Sequence, residues 1–257
     1  MTKKIPIIIT CDENYFEHCV VFIQSYFQYN IDTKTEIHLH SINISKDKLD
    51  LIRDLPIKIF ETNIKLSTKK TIMCRGVDGG HPRMKGSLRS RLHSQQQCYC
   101  AHNKIFLANK YLTEGFDRIL VLDVDCIFRK CIDDMFELPG DFIVRYKQLN
   151  EFTAFKEGCM LIKNTTITKA MFQEVSETLM YKFKNLIEYD IDSDHVVLGY
   201  GYNMYKNMID LRQLPFEYKD TSYKSSSYIW SGKGDRKIKS DIYKSKHNYY
   251  YDLFCNR

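Results

Sequence analysis

The sequence predicts an α/β fold in a single domain, with a Rossmann-like central mixed sheet flanked by helices. Three observations support this prediction. The first part of the chain alternates short apolar runs with helical spacings, in the order β-α-β-α-β. The chain has 257 residues, 44% of them apolar and 27% charged, which is enough to bury one large core. With only 11 glycines and 5 prolines, the composition argues against collagen-like and disordered classes.

The elements of this first part follow from the spacing of the apolar residues. Continuous β-branched runs are typical of parallel strands covered on both faces. Apolar side chains three or four residues apart are typical of helices. The predicted elements are a strand at 5–10, a helix at 15–29, a strand at 37–42, a helix from Lys46 to Leu55 that ends before Pro56, and a strand at 57–60.

The middle of the chain contains the most informative motif. Residues 65–93 have no clear period and hold glycines among basic residues, so they predict a long mobile loop. A helix resumes from Gln95 to Leu112, and an aliphatic strand from Arg118 to Leu122 leads directly to Asp123 and Asp125. The carboxyl end of a buried strand is where α/β sheets bind ligands, so these two carboxylates are expected to lie in a site.

Paired carboxylates at that position favour a metal-assisted reaction. Their oxygens suit Mg²⁺ or Mn²⁺, which can bridge to the diphosphate of a nucleotide. The ion would then stabilise the negative charge that grows on a departing diphosphate. Asp123 and Asp125 therefore predict a divalent metal site, and the alternative is a helix cap beside a salt bridge.

The cysteines indicate reduced thiols rather than a disulfide framework. There are nine, an odd number, and several lie inside apolar runs. Six residues of zinc-ligating types fall close together, but their spacing matches none of the usual zinc patterns. These residues are Cys74, His81, His93, Cys98, Cys100 and His102. We interpret them as scattered loop and helix residues.

The sequence also predicts the cellular location of the protein. No apolar stretch reaches the ~18 residues of a membrane-spanning helix, and the apolar run at the start is too short for a signal peptide. Lys, Ile, Asn and Tyr are abundant, a usage typical of AT-rich genomes. The sequence therefore predicts a cytoplasmic protein of a bacterium or of a virus- or phage-infected cell.

The net charge of +6 is concentrated in two zones. Seven basic residues against one acid lie between Lys69 and Arg91, and eight basic residues against three acids lie between Lys219 and Lys246. Two basic zones on an otherwise neutral chain favour contact with polyanions, and solvated surfaces are the alternative.

Four motifs, taken in order, resemble glycosyltransferase family 8 and its relatives. They are Thr10-Cys11-Asp12-Glu13-Asn14-Tyr15, Leu122-Asp123-Val124-Asp125, the run from Glu157 to Asn164, and Asp194-His195-Val196-Val197-Leu198. The resemblance implies one GT-A domain over 1–257, with a nucleotide-sugar-binding half at about 1–130 and an acceptor-binding half at about 131–257. It also implies metal-dependent transfer of a hexose or pentose from a UDP-sugar, with retention of configuration.

The resemblance further assigns donor-binding roles. Asp12 would hydrogen-bond the uridine base and Tyr15 would stack on it, whereas a helix cap and a core aromatic are the alternatives. The full donor-binding set is Thr10, Asp12, Tyr15, Lys104, Asp123, Gly232, Lys233 and Gly234, with Asp123 and Asp125 as metal ligands. The family often supplies a third ligand from a late His-x-x-Gly-x-x-Lys motif. This chain has no histidine in that register, which leaves Ser231, Asp235, His247 or water.

Three residues are implied at the reacting centre. Asp194 would bind hydroxyl groups of the donor sugar, and His195, where the family has glutamine, would face the sugar opposite the leaving group. Glu157 could position an acceptor hydroxyl or act as a base. Packed or exposed structural residues are the alternatives for His195 and Glu157.

The acceptor prediction rests on the first basic zone. Arg83, Lys85, Arg89 and Arg91 suit phosphates, so a hydroxyl-bearing modified base in DNA is the favoured acceptor. An anionic glycan or glycolipid, with peripheral membrane contact, is close behind. Two other classes stay open: a nucleotidyltransferase, and a non-enzymatic nucleic-acid-binding protein.

Overall fold

The computed structural model describes residues 4–31, 33–73, 92–149, 152–186, 189–190, 193–232, 234 and 236–256. The strands are β1 (Ile5–Asp12), β2 (Thr35–Ile42), β3 (Lys58–Thr62), β4 (Ile72–Met73), β5 (Leu92–His93), β6 (Arg118–Leu122), β7 (Cys126–Phe128), β8 (Phe142–Leu149), β9 (Phe152–Lys163), β10 (Leu211–Gln213) and β11 (Ile229–Ser231). The helices are α1 (Phe16–Tyr29), α2 (Lys46–Asp50), α3 (Gln95–Thr113), α4 (Thr166–Asn185), α5 (Ser193–Tyr205), α6 (Arg236–Lys239) and α7 (Asp241–Cys255).

A mixed seven-stranded sheet forms the centre of the fold, in the order β10-β8-β9-β6-β1-β2-β3. Strands β6, β1, β2 and β3 run parallel, and β9 is antiparallel to both β6 and β8. The predicted α/β fold with a central mixed sheet is therefore confirmed.

Helices cover both faces of the sheet, and the strand composition follows from this. In β1, Ile7 and Ile9 pack into one hydrophobic cluster together with α1, while Ile8 packs into the opposite cluster with α3 and α4. All three isoleucines are fully buried. A strand with helices packed on both of its faces has no solvent-exposed face for polar residues. This explains the continuous apolar run of β1.

This topology places the acidic motif at one edge of the sheet. Strands β1 and β6 are parallel neighbours, so Asp12 at the end of β1 and Asp123 after β6 leave the sheet on the same side. The antiparallel pairing of β6 with β9 adds Gly158, whose carbonyl accepts from the Asp123 N–H at 3.0 Å.

Two local predictions differ from the structure. The helix predicted from Lys46 to Leu55 ends at Asp50, and Ile52 and Leu55 pack on the same core from the turn that follows it. The ends of the predicted loop at 65–93 form an antiparallel pair, since β4 pairs with β5. Most of the loop lies outside the described residues, so its mobility stays a prediction. None of the helices that the structure describes is long and apolar enough to span a bilayer.

A buried histidine pair lies between β2 and α3. The Tyr111 hydroxyl lies 2.7 Å from His38 Nδ1 and 2.9 Å from His40 Nε2, and the His40 ring stacks on Phe60. Burial, aided by Lys110 and His38, lowers the pKa of His40 to about 3. Burial also lowers the pKa of His38, against the opposing charge of Glu36. Both imidazoles are therefore neutral in the folded protein near neutral pH.

Because the folded protein keeps His40 neutral, it is expected to lose stability as the pH falls. The unfolded chain takes up a proton on this ring below about pH 6.5, while the folded chain does so only near pH 3. The stabilisation is therefore complete above about pH 6.5 and is lost progressively below it. Between pH 7 and pH 5, His40 alone should reduce the free energy of unfolding by about 2 kcal/mol. Urea unfolding of wild type and His40→Gln across this range measures the effect. An equal slope in both proteins would contradict it.

Candidate active site

Lys104 on α3 is the centre of a buried charged cluster. Its Nζ lies 3.0 Å from Glu157 Oε1, 3.5 Å from Asp123 Oδ1 and 3.5 Å from Asp194 Oδ2. Burial disfavours the charged ammonium, but the charges of Glu157, Asp123 and Asp194 outweigh burial and raise the pKa of Lys104 well above its usual value. A permanent positive charge therefore holds together carboxylates from β9, from the turn after β6 and from α5.

Asp194 is fixed at the start of α5. One of its carboxylate oxygens accepts from the backbone N–H of His195 at 2.9 Å, and the other faces Lys104. His102 Nε2 lies 3.9 Å from the first oxygen, and His102 Nδ1 lies 2.9 Å from the Tyr189 hydroxyl. The buried Asp194 carboxylate is thus surrounded by a backbone N–H, the Lys104 ammonium and the His102 ring.

His195 is oriented by two acceptors. Its Nδ1 lies 2.8 Å from the Phe155 carbonyl oxygen and 2.6 Å from Glu157 Oε2. His195 Nδ1 makes a well-aligned hydrogen bond with the Phe155 carbonyl. The Glu157 carboxylate is close to the same nitrogen but is not aligned as a hydrogen-bond acceptor, so it interacts with the ring through its charge. Because both neighbours are acceptors, Nδ1 carries the hydrogen, and the neutral ring has its lone pair on Nε2.

Glu157, Asp194 and His195 are metal-ligating residue types whose ligand atoms lie within 4.8 Å of one another. The ammonium of Lys104 already lies at ion-pair distance from two of them. In this structure the cation that this group of side chains binds is the ammonium of Lys104.

A second charged cluster surrounds Asp125. Lys237 Nζ on α6 lies 2.9 Å from Asp125 Oδ2, 3.3 Å from the Tyr15 hydroxyl and 4.4 Å from the centre of the Tyr15 ring. The other carboxylate oxygen, Asp125 Oδ1, is buried and has no hydrogen-bond partner among the residues that the structure describes. Burial raises the pKa of Asp125 even though Lys237 acts in the opposite direction.

The unpartnered Oδ1 is the observation that tests the predicted metal site. A buried carboxylate oxygen without a donor is costly unless a cation or a polar ligand approaches it. Asp123, whose side chain is 30% exposed, lies two residues away at the open end of β6. Two hard oxygen donors so placed fit Mg²⁺ or Mn²⁺.

The third ligand is not selected by the geometry. Within the described part of the chain, Ser231 Oγ and His247 Nε2 are both buried without a hydrogen-bond partner, and Asp235 lies outside that part. His247 packs edge-on against His18, with the ring centres 4.7 Å apart. Burial, with the positive charge of Lys237, lowers the pKa of His18 to about 3, so this ring is neutral.

A third lysine, Lys219, lies beside the acidic motif. It is only 2% exposed, and its Nζ donates to the Lys156 carbonyl at 3.0 Å. Gly158 separates this lysine from Asp123. A Cβ built on Gly158 would lie 1.8 Å from Asp123 Oδ2 and 2.5 Å from Lys219 Nζ, so only glycine allows this approach.

Sequence reasoning missed Lys219 and Lys237 as site residues. Both belong to the second basic zone, which was interpreted as a surface for polyanions or solvent. The structure instead turns these two side chains inward against carboxylates and a backbone carbonyl. The signal available was the spacing of Gly234 and Lys237, which matches the Gly-x-x-Lys half of the family's late motif.

The other predicted donor residues lie around the same edge. Thr10 Oγ1 accepts from Asn103 Nδ2 at 3.3 Å. Asp12 accepts from the Asn14 N–H at 3.1 Å, which is the predicted capping alternative, and its other oxygen is 3.4 Å from Gln96 Nε2. These contacts leave the base-binding role of Asp12 a prediction.

The glycine-rich segment contacts the backbone of the acidic motif. Gly232, which belongs to the predicted donor-binding set, donates its N–H to the Asp125 carbonyl at 2.9 Å. Gly232 therefore positions Asp125, and a Cβ there would lie 2.7 Å from the Tyr243 hydroxyl. Gly234 has a positive φ of 65° and open space around it. The predicted residues that lie outside the described part of the chain are Arg83, Lys85, Arg89, Arg91 and Lys233.

The fold, with its central mixed sheet, is that of the GT-A glycosyltransferases, and the sequence Asp-Val-Asp follows an interior strand of the sheet. The model of glycosyl transferase family 8 matches residues 6–190. The chain belongs to this family. No curated protein sequence matches it.

Solved structures support the fold. The chain is similar to the galactosyltransferase LgtC in complex with donor and acceptor sugar analogues, at 12% identity and a TM-score of 0.61, covering 98% of this chain and 96% of LgtC. It is also similar to the bifunctional glycosyltransferase WbbM (10%, TM-score 0.60), covering 98% of this chain and 50% of WbbM. A third similar structure is GlyE of Streptococcus pneumoniae TIGR4 (14%, TM-score 0.60), covering 99% of this chain and 62% of GlyE.

Proposed function

We propose that this protein transfers a hexose or pentose from a UDP-sugar to an acceptor hydroxyl, with Mn²⁺ or Mg²⁺ held by Asp123 and Asp125. The observation that carries the proposal is the buried, unpartnered Oδ1 of Asp125 beside Asp123, in a chain of glycosyl transferase family 8. When bound, the ion supplies positive charge against the departing diphosphate.

Residues at the end of β1 and just after it would bind the base of the donor. The Tyr15 ring, 40% exposed at the edge of the site, offers a face for a uracil base. Asp12 lies at the end of β1, and its carboxylate can accept a hydrogen bond from the base. Both roles follow the family resemblance.

Asp194 and His195 act at the sugar. Lys104, 3.5 Å from the Asp194 carboxylate, holds it in place, so that it can accept hydrogen bonds from sugar hydroxyls. His195 presents its Nε2 lone pair to the anomeric carbon on the face opposite the leaving group. Glu157 is buried between Lys104 and His195, so it acts through the imidazole by stabilising positive charge on it, and not directly on the acceptor.

Replacing His195 with alanine is expected to lower kcat by about 10²-fold, because the charge developing at the anomeric carbon loses its partner. His195→Gln should recover part of this loss, since an amide oxygen also offers a lone pair. Kinetics of UDP release at saturating donor measure both effects. The control is Met204→Ala at the exposed far end of α5, which should leave kcat unchanged. Equal activity of His195→Ala and wild type would contradict the role.

The acceptor is predicted from sequence alone. The arginines and lysines that favour DNA lie outside the described residues, so a modified DNA base stays the favoured prediction and an anionic glycan the second. Retention of configuration follows from the family resemblance.

One experiment tests the function and separates the alternatives. The full chain is incubated with UDP-glucose and Mn²⁺, alone and with hydroxymethylated DNA, plain DNA or an anionic saccharide, and UDP release and product mass are followed. Acceptor-dependent UDP release supports the proposal. Pyrophosphate release from a nucleoside triphosphate would instead indicate a nucleotidyltransferase. Salt-sensitive DNA binding without turnover of any nucleotide sugar would indicate a nucleic-acid-binding protein.

A further inference from the structure

Strands β8 and β9 continue past the end of β6 as a two-stranded ribbon. The pairing of β6 with β9 ends at Leu122 and Cys159, whereas the pairing of β8 with β9 resumes at Arg145 and Lys156 and runs to the end of β8. Because β9 is antiparallel to both of its neighbours, β8 and β6 point the same way. The ribbon therefore projects from the edge of the sheet that carries Asp123.

One face of this ribbon is basic. Arg145 and Lys156 are directly opposite each other in the antiparallel pair, so their side chains lie on one face, and Lys147, two residues along β8, lies on the same face. Glu157 has the opposite orientation and contacts His195. Like charges directly opposite each other lower the stability of a sheet, so the fold itself gives no reason for the pair of Arg145 and Lys156.

Two lysines of the second basic zone join this basic face. The Arg145 guanidinium lies 4.9 Å from the centre of the Phe216 ring, and Lys224 Nζ lies 5.4 Å from the same centre. Lys219 Nζ donates to the Lys156 carbonyl at 3.0 Å, and the Lys219 carbonyl accepts from Arg145 Nη1 at 3.5 Å. The described residues thus give the Arg145 guanidinium an aromatic ring and a carbonyl oxygen as partners, and no carboxylate.

The basic face lies beside the acidic motif but away from the position of the donor base. Asp123 Oδ2 and Lys219 Nζ are close together, because a Cβ placed on Gly158 would be within 2.5 Å of both atoms. In the sheet, β9 and β6 separate β8 from β1, whose end carries Asp12. An anion on the basic face would therefore lie across Asp123 from the donor base, where a second substrate has room to bind.

We propose that the basic face of the ribbon binds a phosphate group of the acceptor, next to the acceptor hydroxyl that receives the sugar. The inference rests on the proposed function and adds the chemical class of the acceptor, a phosphate ester. Arg145 offers paired N–H donors that match phosphate oxygens, and Lys147, Lys156 and Lys224 add positive charge. A bound phosphate also offsets the repulsion between Arg145 and Lys156.

Calorimetric titration of the full chain tests the site, with UDP and Mn²⁺ present at saturation so that the donor site is filled. The probes are glycerol phosphate, glycerol and a short oligothymidylate. We expect glycerol phosphate to bind and glycerol not to bind. Arg145→Gln should weaken the binding of glycerol phosphate by about 10-fold, because a hydrogen bond between charged groups is lost, and should leave the affinity for UDP unchanged.

Two further variants make the titration decisive. Arg145 is half-buried, so Lys224→Gln provides an exposed substitution that leaves the ribbon intact, and it should also weaken the binding of glycerol phosphate several-fold. Arg212→Gln is the matched control, because Arg212 lies on the edge strand β10 beside β8 and pairs with Asp210 at 2.7 Å. It should bind every probe as wild type does.

The source of the phosphate is decided by the two phosphate probes. Tighter binding of the oligothymidylate that depends on Arg145 would identify a nucleic acid, and tighter binding of glycerol phosphate would identify a phosphorylated polyol or saccharide. Both results support the inference. It is wrong if neither phosphate probe binds, if wild type, Arg145→Gln and Lys224→Gln bind equally, or if Arg145→Gln weakens UDP instead. If UDP and Mn²⁺ do not bind, the proposed function is wrong, and glycerol phosphate titrated without them still shows whether the basic face binds phosphate.

Discussion

Asp125→Asn is expected to lower the transfer rate by about 10²- to 10³-fold or more while the protein stays folded. The substitution keeps the shape of the side chain and removes the charge that a divalent ion requires. Gly232 and Tyr243 hydrogen-bond the backbone carbonyl of residue 125, not its side chain, so the turn after β6 should survive. Steady-state kinetics over a range of Mn²⁺ concentrations, with circular dichroism for the fold, measure both expectations.

Asp134→Asn is a suitable control, because Asp134 is an exposed aspartate in the 3-10 turn at Asp133–Glu137, nine residues after Asp125. It should leave the rate and its dependence on Mn²⁺ unchanged. Near-normal transfer by Asp125→Asn in the presence of a chelator would show that the metal hypothesis is wrong. It would also remove the reason for the buried, unpartnered Oδ1.

Lys104→Met is expected to have the largest effect on stability. It leaves Glu157, Asp123 and Asp194 in mutual repulsion without their shared ammonium. Removing one partner from a buried ion pair costs about 3–5 kcal/mol. In a chain of this length, that corresponds to a fall in Tm of roughly 10 °C. Thermal unfolding followed by circular dichroism measures it, and the transfer rate should fall as well.

The control for Lys104→Met lies on the same helix. Lys110 is about half exposed and pairs with Glu114 at 3.8 Å, so Lys110→Met should change stability by less than about 0.5 kcal/mol. A stability deficit of Lys104→Met no larger than that of Lys110→Met would contradict this account of the cluster.

The sequence predicted those parts of the fold that depend on local patterning. Continuous apolar runs identified β1 and β6 because strands covered on both faces admit no polar alternation. Helix α3 was predicted within a residue of its observed end, and its N-cap residue, Ser94, forms a capping box with Gln97. Helix α2 was predicted too long, because the apolar spacing of Leu49, Ile52 and Leu55 continues past its last residue, Asp50, into a turn that packs on the same core.

The sequence likewise predicted only part of the candidate site. The sequence identified Asp123 and Asp125, since a strand ending in two acids is a local feature. It could not identify their partners, because Lys104, Lys219 and Lys237 reach the acids from distant elements. It also placed Lys219 and Lys237 in a basic surface zone, because the count of charges in a segment contains no information about the side to which each side chain turns.

By itself, then, the sequence determined the class of the fold, the edge of the sheet at which a site forms and the two acids that mark it. Only the tertiary structure decided how those acids are balanced: Lys104 among three carboxylates, Lys237 across Asp125 and Tyr15, and His195 with its hydrogen on Nδ1. The physical reason is the distance over which each effect acts. Backbone patterning acts over a few residues, whereas the charge state of a buried group depends on every charge that the fold brings within a few ångströms of it.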